Sequence, residues 1–174
     1  MKPSSSVFGI AVSANGKRLG LAGAKVSILN PANLSEMQIL PAVGTPTGGL
    51  FSNRDGSAWA AASNGVSLWT SAHSWQSLQG SRGANSDKPY QLAFSRDGRR
   101  LVTPGAENTI RVWDTASAKE ILKLYYQAKE GLTIKAVTFS PDERQIYAVG
   151  DDWSLYRFPV SLDDLLVEAK KRLQ

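Results

Sequence analysis

The hexapeptide "TIRVWD" (Thr109–Asp114) alternates apolar and polar side chains and closes on Trp-Asp. It has relatives: "KVSILN" (Lys25–Asn30), "GVSLWT" (Gly65–Thr70) and "SLYRFP" (Ser154–Pro159). Their fifth positions hold Leu29, Trp69, Trp113 and Phe158, at intervals of 40, 44 and 45 residues. A second mark keeps step with the first. "VSANG", "SNRDG", "FSRDG" and "FSPDE" set turn chemistry at Asn15-Gly16, Asp55-Gly56, Asp97-Gly98 and Asp142-Glu143, at intervals of 40, 42 and 45. Asn-Gly and Asp-Gly between apolar runs signal tight hairpins, because such turns need positive φ. Two marks recurring together four times define a repeat.

Each unit reads as a strand, a turn, a second strand, a tight connection and a third strand of the "IRVW" type. In the last unit Ile134–Ser140 precedes the turn and Gln145–Gly150 comes after it. A fourth strand is expected in Ser35–Leu40, Ser74–Gln79 and Lys119–Tyr125, whereas the last unit stops after "SLYRFP" and the residues beyond Pro159 do not read as a strand. The polar, glycine-containing link Gln79–Pro89 reads as a loop rather than a domain boundary.

Four-stranded units with a period of about 40–45 residues are the signature of propeller blades. The chain resembles the WD-repeat β-propeller family over nearly its whole length, most closely in "LAFSRDGRRLVTPGAENTIRVWD" (Leu92–Asp114). The resemblance implies an all-β fold of four four-stranded antiparallel blades, a half or partial ring. The expected layout is an N-terminal tail over 1–6, blades over 7–160 (about 7–45, 46–86, 87–130 and 131–160) and a C-terminal helix over 161–174. In that last stretch Ser161 and Asp164 fit a capping box, and Val160 could staple onto Leu165. Leu162, Leu165, Leu166, Ala169 and Leu173 form one apolar stripe. The helix packs on the last blade or meets another chain. It also loosely resembles the helix after the last blade of multidomain bacterial WD-repeat proteins, which implies an alternative role as a sensor propeller linked to an NTPase- or protease-like domain.

The chain departs from the family pattern in two ways. No unit carries the Gly-His that usually precedes the first strand, and the usual Asp position holds Gly23, Ser63, Glu107 and Asp152. The blades are therefore expected to rely on apolar packing between neighbours and on Trp69, Trp113 and Phe158, with the first unit least well specified. Second, the first strand begins at Val7, with no room before it for the strand that closed rings of the family borrow. Four blades seldom close alone. The open flanks are expected to be covered by a second copy, by additional blades of a larger chain, or in part by the helix.

Composition narrows the function. The 174 residues are 42% hydrophobic and 20% charged, ordinary for a globular chain. An absence of cysteine excludes disulfides, thiol nucleophiles and cysteine-held metal. With His73 as the single histidine, a Ser–His–Asp site has little to build on. No clustered metal ligands and no GxxxxGK(S/T) or GxGxxG motif occur, so neither enzyme activity, cofactor nor metal is expected. The sequence carries no apolar run long enough for a signal peptide or membrane helix, and a cytoplasmic location is the expectation.

Binding of a protein or peptide is the expected role. The resemblance places Tyr90, Lys135, Asp151 and Trp153 on one rim as candidate partner-binding residues; Trp153, standing where the family prefers Gly, is either an exposed contact anchor or packs on its neighbour. The hairpin turns form the opposite rim, with Lys17, Arg18, Arg54, Arg96, Arg99, Arg100 and Arg144 in or beside them. Asp55, Asp97, Asp142 and Glu143 share that rim, and no aromatic residues are interleaved for base stacking. A solvated rim is expected there, with nucleic-acid binding as the second alternative to a protein scaffold.

Overall fold

The computed structural model describes residues 7–41, 49–62, 65–81, 91–105, 109–126 and 133–161. Blade 1 runs β1 (Gly9–Val12), β2 (Leu19–Ala22), β3 (Val26–Leu29) and β4 (Glu36–Leu40). Blade 2 runs β5 (Gly49–Ser52), β6 (Ala58–Ala62), β7 (Val66–Thr70) and β8 (His73–Leu78). Blade 3 runs β9 (Ala93–Phe94), β10 (Arg100–Gly105), β11 (Thr109–Asp114) and β12 (Glu120–Tyr125). Blade 4 holds β13 (Ile134–Phe139), β14 (Gln145–Gly150) and β15 (Leu155–Pro159). Strands lie in chain order within each antiparallel sheet, so the chain folds one meander after another.

The third strand of every sheet is the repeat hexapeptide, as expected. Leu29, Trp69, Trp113 and Phe158 pair across to Leu19, Trp59, Leu101 and Ile146 on the second strand. In blades 1 to 3 the pairing with the fourth strand shifts register beside that position. The fourth sheet has three strands among the described residues, as expected of a unit that stops after "SLYRFP". The helix expected over 161–174 lies, apart from Ser161, outside the described residues, as does the 1–6 tail. Blade 1, expected to be the least specified, forms all four strands.

A small polar motif shapes each first turn. The Ser13, Ser95 and Ser140 hydroxyls donate to Asn15, Asp97 and Asp142 and accept the backbone N–H of Arg18, Arg100 and Gln145. In blade 2 the Asn53 carboxamide takes the place of the serine and accepts Ala58 N–H at 3.0 Å. All four residues are buried. Gly16, Gly56 and Gly98 then take the positive φ the turn requires, and Glu143 takes it in blade 4 at φ 58°.

Hydrogen bonds from the serine hydroxyls hold the Asp97 and Asp142 carboxyls below the usual carboxylate range, and those from Ser57 do the same for Asp55. A folded-state pKa below the unfolded 3.8 gives stability that is present above about pH 4 and is lost as pH falls through the folded value. Thermal melting midpoints are expected to be flat above about pH 5 and to drop below pH 4. Ser95→Ala with Ser140→Ala should make that drop shallower; an unchanged pH profile would contradict the assignment.

Three apolar clusters hold the blades together, and each straddles two neighbours. Gly20, Ala22, Val26 and Ile28 of blade 1 sit against Leu50, Trp59 and Trp69 of blade 2. Ala60, Val66 and Leu68 join Leu92, Leu101 and Trp113. Val102, Ile110 and Val112 join Val137, Ile146 and Phe158. This is the neighbour packing expected where the Gly-His and most of the Asp positions are replaced. In blade 3 a polar contact adds to it, as the buried Trp113 Nε1–H donates to Thr103 Oγ1 at 2.9 Å. Asp152, the one unit with the expected acid, instead holds Ser154 on the surface.

Candidate functional site

Two rims and one open face present themselves to partners. On the first rim the turn between β14 and β15 carries Asp151, Asp152 and Trp153. Asp151 Oδ1 accepts Thr133 N–H at 3.1 Å, and Oδ2 lies 3.6 Å from Lys135 Nζ. These contacts, the Thr133 amide first, hold the Asp151 carboxyl below its ordinary range. Asp152 Oδ1 accepts Ser154 N–H, and Trp153 N–H reaches Gly150 O at 3.2 Å. Trp153 is thereby fixed at φ 63° with 91% of its surface exposed.

Of the two readings of Trp153, packing on its neighbour does not hold, and the ring stands exposed. A left-handed residue at the turn tip points its side chain outward, and the ring finds no neighbour. Lys135, Asp151 and Trp153 do share one surface; Tyr90 lies outside the described residues. Gln91, next in the chain, is hydrogen-bonded to Lys135 and Val137 of β13.

The seven cations of the opposite rim divide. Arg18 Nη1 donates to Gly56 O of blade 2 at 3.2 Å. Arg100 pairs with Glu143 of blade 4 at 2.6 Å and lies 5.1 Å from the centre of the Phe139 ring. These two join blades to each other. Lys17, Arg54, Arg96, Arg99 and Arg144 are exposed. A shallow hollow of about 430 Å³ lies among Arg54, Arg96, Asp97, Pro141, Asp142 and Glu143, and its charges are of both signs. Along the concave wall, a hollow of about 700 Å³ is lined by Ile10, Val12, Leu50, Phe51 and Phe94, with Arg54 and Arg96 at its edge.

The open face of blade 1 is the feature that sequence reasoning passed over. Ile10, Leu50, Leu92 and Val137 all stand six residues before the positive-φ turn residue of their blade. Leu50, Leu92 and Val137 are 3–4% exposed, whereas Ile10 is 65% exposed. Phe8, Val12 and Ile39 are half exposed on the same sheet. The signal was available: aligning the units on the turn gives an aliphatic residue at this position in every blade, the first included. Among the described residues there is no cluster of His, Asp and Glu able to hold a metal, and no helix long and apolar enough to cross a membrane.

Comparison with known proteins agrees with this geometry. The family model for the WD domain, G-beta repeat, matches residues 75–114, from β8 through β11. Actin-interacting protein 1 of Drosophila melanogaster is 36% identical over 58 residues, 33% of this chain and 9% of that protein. The crystal structure of the Myceliophteria thermophila Cps50 (Swd1) beta-propeller domain superposes with a TM-score of 0.67 over 91% of this chain and 54% of that one. At 13% identity that likeness concerns the fold alone. The chain thus spans about half of the solved propeller and under a tenth of the fly protein.

Proposed function

We propose that the chain is a WD-repeat β-propeller protein-interaction scaffold whose open first-blade face is covered by a further blade. Propellers of this family are generally non-catalytic platforms for protein partners. The observation that carries the reading is Ile10: its position is buried by the preceding blade in three of four units and bare in the first. A contiguous apolar sheet face rarely stays in water on a finished protein.

Native mass of the chain in extracts of its source tests this. The expected result is an assembly heavier than the 18.8 kDa of one chain, which Ile10→Asp returns to that mass. A wild-type chain that stays at single-chain mass would sink the reading.

The Trp153 rim supplies a second contact surface, since an exposed tryptophan held rigidly by its turn is a typical hot-spot anchor. Trp153→Gly relieves a left-handed backbone strain of order 1 kcal/mol. The variant is expected to melt slightly higher while losing partner binding, read by calorimetry and by a binding assay with the purified partner; unchanged binding removes Trp153 from the surface. A nucleic-acid reading draws less support, because Arg18 and Arg100 are engaged within the fold.

A further inference from the structure

The partner that each open flank accepts can be read from the three interfaces inside the chain, because the blades repeat in register. Looking outward from each blade toward the next, one position holds Gly20, Ala60, Val102 and Tyr147, each directly after the residue paired with the third-strand aromatic or Leu29. Another holds Ile28, Leu68, Val112 and Arg157, each directly before it. The first three members of each set are small or aliphatic. Ile28, Leu68 and Val112 are 1–2% exposed at the blade contacts, whereas Arg157 is exposed. Ala11, Phe51 and Ala93 likewise give way to Thr138 in blade 4.

The receiving faces obey the same logic. Ile28 lies in one cluster with Trp59, Ala61 and Trp69 of the next blade, Leu68 with Leu101 and Trp113, and Val112 with Ile146, Ala148 and Phe158. The matching residues on the open face of blade 1 are Leu19, Leu21 and Leu29. Size is complementary too. A Cβ on Gly20 would fall 2.4 Å from the Trp59 ring, so the smallest residue there meets the largest.

We infer that the blade covering Ile10 comes from a different sequence, one with small or aliphatic residues where this chain's blade 4 has Tyr147 and Arg157. This rests on the reading that the face is covered by a blade at all. A second copy of the chain, docked head to tail, would set the Arg157 guanidinium over Leu19, Leu21 and Leu29, which offer it no acceptor. A buried cation without a carboxylate is strongly unfavourable. The carboxylate of that sheet, Glu36, already meets Lys25 at 3.4 Å and Ser27 at 3.3 Å. Tyr147 would also crowd Leu19, where each internal contact pairs a smaller residue with a larger one.

Light scattering on the full chain from 1 to 100 μM (roughly the range in which weak pairing shows) tests the inference. The wild type is expected at 18.8 kDa. Tyr147→Ala with Arg157→Val gives blade 4 the pattern of the other blades, and should pair about 100-fold more tightly, doubling the mass. Adding Ile10→Asp to that variant should restore the monomer. Circular dichroism guards against misfolding, a modest risk at side chains that are not buried. Two results would overturn the inference: a wild-type dimer that Ile10→Asp dissolves, or a folded double variant that remains monomeric. Failure of the underlying reading is separate, since it shows as a native assembly indifferent to Ile10→Asp.

Discussion

Trp59→Ala is expected to remove about 3–5 kcal/mol from the unfolding free energy, the range for deleting a large buried aromatic. The indole is fully buried between blades 1 and 2, and its Nε1–H donates to Gly56 O at 2.9 Å. Truncation opens a cavity at the joint between two blades and leaves the Gly56 carbonyl without that donor. Urea denaturation followed by tryptophan fluorescence measures it, and a thermal midpoint lower by about 10 °C should accompany it. A loss below about 1 kcal/mol would mean that this ring does not hold the joint.

Gly20→Val is the complementary case. Its added carbon would lie 2.4 Å from Trp59 and 2.7 Å from Leu50 side-chain atoms, well inside contact distance. Overpacking of this kind costs about 1–3 kcal/mol. The informative measurement is the double variant. Valine at position 20 fills part of the space that Trp59→Ala vacates, so the pair should lose less than the two losses added, by about 1 kcal/mol or more. Strict additivity would show that the two residues do not share one joint.

The fold was legible because its marks are local. Asn15-Gly16, Asp55-Gly56 and Asp97-Gly98 need only their own turn, and the hexapeptides need only alternation. Fourth strands were legible in blades 1 to 3 for the same reason: β4, β8 and β12 fall within a residue or two of the expected stretches. The features that escaped reading depend on a neighbour brought from about 40 residues away. Arg18 and Arg100 look like surface cations in the sequence, yet their partners are Gly56 O and Glu143 of the next blade. Trp153 reads as an anchor or as a packing residue until its φ is known. Ile10 looks like a core residue, as Leu50 and Leu92 are, yet it is 65% exposed.

Glu143 joins blades 3 and 4 in a manner the other turns do not share. By occupying a glycine's backbone conformation, it brings its carboxylate to both the Arg96 amide and the Arg100 guanidinium. The joint between blades 1 and 2 is instead a close steric fit of Gly20 to Trp59. Raised ionic strength therefore weakens one contact of the final joint that the initial joint lacks, while the apolar packing of both remains. Like modules along one arc are thus fastened by contacts that answer differently to dissolved salt.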